Sequence, residues 1–155
     1  MSEQGIEIIV RGVWMQDGQV LVCRDLENGH CFLPGGHVEF GETAAGALQR
    51  EMVEELGLSL QVGRFLGAVE SAFDQADGSG SITRHHEVNL VFELSSQDID
   101  PADAASQEAH IAFEWCQVDD MTGPKPTINL LPPTMAKLIN TAANKGNTNW
   151  SSSWE

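Results

Sequence analysis

Three glutamates, Glu51, Glu54 and Glu55, fall within the thirteen residues AAGALQREMVEEL, beside one arginine, Arg50, and no lysine. On a helix, spacings of three and four residues bring side chains to one face. Three carboxylates then share a surface, where like charges repel by ~0.2–0.5 kcal/mol per pair. A solvated helix face is the plain alternative, but such a face intersperses cations. Repulsion left uncompensated calls for a hard divalent cation: Mg²⁺ takes a few carboxylate oxygens and keeps waters and substrate phosphate oxygens in its octahedral shell.

The flanking residues say how this helix is built. Thr43 can cap it through its hydroxyl, and Gly57 can close it in a left-handed conformation. Upstream, the Pro34-Gly35-Gly36 run predicts a glycine turn that ends a strand. On a helical wheel Leu48, Met52, Ala45 and Leu56 form the apolar stripe with Val53 at its edge, while the small Ala44 and Ala47 sit on the acidic side. That arrangement predicts a concave, open acidic surface.

Glycine, glutamate, arginine and aliphatic positions recur here at fixed distances. The pattern G-x5-E-x7-R-E-U-x-E-E-x-G-U, with U a bulky aliphatic, is met at every fixed position by Gly36, Glu42, Arg50, Glu51, Met52, Glu54, Glu55, Gly57 and Leu58. The segment Gly36 to Leu58 therefore resembles the Nudix box. The order of elements around it extends the resemblance to roughly residues 5 to 143. What it implies is a hydrolase that cuts a diphosphate linkage in a nucleoside diphosphate derivative with Mg²⁺ or Mn²⁺, on an α/β (α+β) fold, a Nudix-like α/β/α sandwich of a mixed sheet with helices on both faces.

The resemblance also distributes roles. Glu54 and Glu55 are the implied metal ligands, Glu51 is a ligand or the general base, and the Gly35 carbonyl adds a backbone ligand. Arg50 would orient Glu51 or Glu54, with Glu42 further out. Family members often draw one more acid from a loop ahead of a tryptophan-bearing strand. Glu108, ahead of Trp115, is the candidate here, and Glu87, Glu93 and Glu114 compete with it. ADP-ribose-hydrolysing relatives usually carry a proline some fifteen residues past the box, where this chain has Phe73 and Asp74; dinucleoside polyphosphate hydrolases often use tyrosine, and this chain has none. His37, His85, His86 and His110 could meet phosphate, and Phe32, Phe73 or Trp14 could stack on a base. For each of them a structural role is the simpler alternative.

Composition narrows the partners. A formal charge of −15, from 8 basic and 23 acidic residues, argues against long nucleic acid held by a basic surface and leaves a small phosphorylated nucleotide. Removal of diphosphate from RNA 5′ ends and a catalytically silent nucleotide sensor are the alternatives. The latter would show eroded glutamates. Cys23, Cys31 and Cys116 lack metal-site spacing and read as buried free thiols in a reducing compartment. With no apolar run long enough to span a bilayer and no secretory leader in MSEQG, the expectation is a cytoplasmic protein without membrane contact.

The rest of the chain predicts one domain over residues 1–143 with a loose tail over 144–155, whose Trp150 and Trp154 could instead dock on a partner or in a homodimer. Ile6 to Trp14 and Gln19 to Arg24 read as a hairpin about Asp17-Gly18, and Cys31-Phe32-Leu33 as a short strand. Leu60 to Phe73 and Arg84 to Leu94 read as antiparallel neighbours, Ile111 to Val118 as a strand, and Thr134 to Ala143 as a final helix.

Overall fold

Eight strands and three helices account for most of the chain in a computed structural model that describes residues 4–96, 100 and 108–153. In chain order they are β1 (Glu7–Gln16), β2 (Gln19–Asp25), β3 (Cys31–Phe32), β4 (Gly35–His37), α1 (Ala44–Leu56), β5 (Gln61–Ala76), β6 (Ile82–Ser95), β7 (Ile111–Gln117), α2 (Asp119–Thr122), α3 (Met135–Ala143) and β8 (Asn149–Ser153). The strands join in the order β3-β2-β1-β6-β5-β8, with β4 added to β1 and β7 to β2. Contacts β1–β6 and β5–β8 are parallel and the others antiparallel, so the sheet is mixed.

Helices cover both faces. One core gathers Val13, Val20, Leu66, Val69 and Val91 under Met135, Leu138 and Ile139 of α3. The other gathers Val10, Trp14, Leu21 and Leu94 under Ala47, Leu48, Met52 and Leu56 of α1. Alternate residues of β1 enter the two cores because successive strand side chains point to opposite faces. This is the expected α/β/α arrangement.

Four local expectations change. The β1–β2 hairpin has its turn, with Asp17 and Gly18 at φ 50° and 77°, but only Met15↔Val20 and Gln16↔Gln19 pair across it. Beyond that the strands part: β1 runs parallel to β6 over Glu7 to Trp14, and β2 pairs with β7 over its whole length. The glycine run is strand rather than turn, since Gly35–His37 pairs with Ile9, Val10 and Arg11. Where a loose tail is expected, β8 runs parallel to β5, held by backbone pairing that needs no hydrophobic pattern. Trp154 and the side chain of Trp150 lie outside the described residues.

On α1 the apolar stripe is turned from its predicted position. Ala47 is fully buried with Leu48, Met52 and Leu56, whereas Val53 is 52% exposed and Ala45 is half-buried. A helical wheel measures angles but not where the sheet lies, so Ala47 moves from the acidic face to the core.

Candidate active site

The acidic helix is anchored at both ends as its sequence requires. Thr43 Oγ1 accepts from the Gly46 N–H at 3.0 Å, and Gly57 at φ 68° returns its N–H to the last carbonyls. Docking of Leu48, Met52 and Leu56 then sets the rotation that places each glutamate. Glu54 is left exposed at 59%, Glu51 is 14% exposed, and Glu55 is half-buried against β4.

The glycines of β4 make room for two of these carboxylates. A Cβ on Gly36 would collide with the Glu51 carboxylate. On Gly35, at φ 148°, a Cβ would collide with the Val10 carbonyl, so this position needs glycine for its backbone and its neighbour alike. Gly35 also donates its N–H to the Glu55 carboxylate.

Arg50 is the hub of the acidic face. Its Nε and Nη2 hold Glu42 in a two-point grip at 3.1 and 2.8 Å, and Nη2 also reaches the His37 carbonyl at 3.0 Å. Its Nη1 donates to Glu51 at 3.0 Å and to Glu54 at 3.3 Å. The arginine thus touches both of the glutamates it was expected to choose between. It also offsets part of the repulsion that the sequence leaves uncompensated. The Glu42 carboxyl is held below its ordinary range by Arg50.

Glu55 is the exception. Its Oε2 is buried without a hydrogen-bond partner. Burial, and then the neighbouring Glu51 charge, push its carboxyl up to about 8, with Arg11 opposing and Glu108 adding to the rise. A carboxylate in that position lacks a cation. The charges of Glu51 and Glu108 act on it, and carboxylate oxygens are the hard donors that a Mg²⁺ or Mn²⁺ ion takes. As they stand, no three His, Cys, Asp or Glu side chains among the described residues are arranged to hold an ion. The ligand set that the resemblance implies is therefore not preassembled: Glu51 and Glu54 are turned onto Arg50.

The competing acids separate cleanly. Glu108, on the loop before β7, contributes through its charge to the rise at Glu55. Glu114 is engaged by Arg24 at 2.8 Å through both oxygens, and Glu93 by Arg64 at 3.0 Å. Glu87 stands in register with Glu7 on β1 and Ser71 on β5.

Among the candidate histidines, His37 Nε2 and His85 Nδ1 both meet Glu7, at 2.9 Å each, and His86 meets Glu70 at 3.2 Å. His110 lies 3.6 Å from Glu108. Trp14 is fully buried edge-on to Trp115, with centroids 5.1 Å apart, so it offers no face to a base. Phe73 is 42% exposed and stacks on His85 at 4.9 Å. Two residues that sequence reasoning passed over also belong to these surroundings. Glu7 gives no local signal, because its partners lie 30 and 78 residues away. Arg11 gives one: it is a lone cation within the apolar run IEIIVRGVW.

A family model described as the NUDIX domain matches residues 6–139. The chain belongs to the Nudix family. This Nudix chain is 36% identical over 90 residues to an ADP-ribose pyrophosphatase of Methanocaldococcus jannaschii, covering 56% of itself and 49% of that protein. It is 37% identical over 100 residues to the m7GpppN-mRNA hydrolase NUDT17 of Xenopus laevis, covering 60% of itself and 33% of that protein. The chain thus spans half or less of the length of these relatives. A solved MutT protein from Bacillus halodurans superposes with a TM-score of 0.68 at 16% identity, over 96% of this chain and 89% of that one, which speaks to the fold. Among the described residues no helix is long and apolar enough to cross a membrane.

Proposed function

We propose that this Nudix enzyme uses Mg²⁺ or Mn²⁺ to hydrolyse the diphosphate linkage of a small nucleoside diphosphate derivative. The observation that carries the metal requirement is the buried Glu55 carboxylate, whose Oε2 has no protein partner. Glu54, Glu55, the Gly35 carbonyl and Glu108 would hold the ion. Glu51, lodged in the space Gly36 leaves open, is a further ligand or the base that takes a proton from the attacking water. Arg50 keeps Glu51 and Glu54 in place through its own grip on Glu42 and the His37 carbonyl. The bound ion would supply charge neutralisation on phosphoryl oxygens and a more acidic water.

The relatives' names bracket the substrate. One is named an ADP-ribose pyrophosphatase and another an mRNA hydrolase. A charge of −15 favours the small nucleotide, since a trailing RNA strand would meet repulsion. All nine fixed box positions are intact, which speaks against a silent sensor. A soluble cytoplasmic enzyme fits such a substrate.

The test is a panel containing ADP-ribose, UDP-glucose, diadenosine polyphosphates, nucleoside triphosphates and capped RNA, with Mg²⁺ or Mn²⁺ and with chelator, run in ¹⁸O-water. Label on a phosphate product, with no turnover in chelator, is expected. Label on a sugar carbon would mean glycosidic cleavage, and full turnover in chelator would remove the metal from the reaction.

A further inference from the structure

Five arginines are distributed through this acidic chain, and four are spent on carboxylates. Arg24 pairs with Glu114, Arg50 with Glu42, Glu51 and Glu54, Arg64 with Glu93, and Arg84 with Asp74. Arg11 differs: among the described residues no carboxylate lies within ion-pair distance of it, although the chain carries 23 acidic residues. A half-buried guanidinium with its charge unpaired is costly to maintain unless something outside the protein completes it.

The groups it touches are neutral and fix its position. Nε donates toward Asn89 Oδ1 at 3.4 Å, Nη1 donates to the Leu33 carbonyl at 3.0 Å, and the guanidinium carbon lies 5.6 Å from the centre of the Phe32 ring. Asn89 is itself fully buried and tied to the Val69 carbonyl at 3.3 Å. A guanidinium has five N–H donors in a planar fork, so donors remain after these bonds are made. Arg11 is also in register with Gly35 of β4, and its charge reaches the Glu55 carboxyl. An oriented, unspent cation therefore stands on the β1 side of the acidic site.

We infer that Arg11 is a substrate-binding residue: its free N–H groups take a phosphoryl oxygen of the diphosphate, and Asn89 is its positioning residue. The inference rests on the diphosphate-hydrolase reading above and adds the protein's own cation to it. A planar fork held before substrate arrives matches phosphate oxygens and needs no rearrangement as charge develops on them.

The test is binding, measured by calorimetry with two probes: Mg²⁺ alone, and α,β-methylene-ADP with Mg²⁺. Arg11→Gln should weaken the diphosphate analogue about 10–100-fold, the scale of a lost charge-assisted hydrogen bond. Affinity for Mg²⁺ alone should stay level or tighten, because a positive charge near Glu55 is gone. Arg11→Lys keeps the charge without the fork and should fall between, which also covers a glutamine variant that folds poorly. Asn89→Asp should weaken the analogue with Arg11 still present, by spending its charge on a new carboxylate.

Unchanged analogue affinity in Arg11→Gln would overturn the inference. So would a parallel loss of Mg²⁺ and analogue binding, which marks a structural role. The wild-type titration keeps the two readings apart. Wild type that takes up no Mg²⁺ refutes the metal-hydrolase reading together with the part Arg11 plays in it, whereas normal wild-type uptake with an indifferent Arg11→Gln refutes the arginine's role alone.

Discussion

Replacing Glu55 by glutamine keeps the side chain's shape and deletes its charge, and the effect on stability follows from the surroundings of that carboxyl. In metal-free protein, burial and the Glu51 charge raise the Glu55 carboxyl from 4.5 to about 8. Between those values the folded chain retains a proton that the unfolded chain has released. Stability contributed by this group is thus present at acid pH and falls as pH rises from 4.5 toward about 8. At ~1.4 kcal/mol per tenfold in proton affinity, the full loss is at most on the order of 5 kcal/mol. Water entering the half-buried site reduces the expected value to ~2–3 kcal/mol.

The assay is urea unfolding of wild type and Glu55→Gln in chelator, from about pH 5 to about pH 8.5. Taking the difference between the two proteins cancels every contribution that they share. The glutamine variant should gain on wild type by ~2–3 kcal/mol between the acid and alkaline ends. Adding Mg²⁺ at the alkaline end should restore wild type by mass action and leave the variant little changed. A difference that stays flat across the range would refute the reasoning about Glu55.

Other changes separate shape from charge at the same site. Gly36→Ala should lower kcat by ~10²-fold or more while unfolding near the wild-type urea midpoint, because its Cβ strikes the mobile end of Glu51. Gly35→Ala should fail differently, losing ~2 kcal/mol or more of stability, since its Cβ meets the Val10 backbone at a positive φ. Arg50→Ala should cost metal-free protein about 1–3 kcal/mol in urea unfolding, and Arg50→Lys should recover only part of it because the two-point grip on Glu42 needs a fork. Glu51→Gln should reduce turnover by ~10²-fold or more without loss of fold, measured by kinetics beside a far-UV melt.

What could be read directly from the residues is what depends on near neighbours. Thr43, Gly57 and the glutamate spacing define α1 within its own length, and the alternating patterns of β5 and β6 announce an antiparallel pair. The choice of partners at long range is a different matter. The hairpin signal at Asp17-Gly18 is genuine, yet β1 is drawn to β6, some eighty residues on, by burial on both faces that no local pattern records. The box names the glutamates without saying that Glu54 stays in water, that Glu51 fits against a missing Cβ, or that one oxygen of Glu55 is buried without a partner. Those differences arise from the rotation of α1 on the sheet, which Ala47 and Val53 reveal only once the sheet is in place.

The position of β1 bears on how the protein can open. This strand carries β6 along one edge and β4 and β2 along the other, and sends Val13 toward α3 and Val10 and Trp14 toward α1. Neither half of the molecule can come apart while β1 stays paired, because both ladders and both cores use it. Its central amides should accordingly exchange with deuterium only through global unfolding, while those at the tip of the β5–β6 arm around Asp77 exchange through local fraying. The glutamate-bearing helix and the arginine of β1 would then keep their alignment through every fluctuation short of complete denaturation, and breathing of the active site would be confined to its side chains.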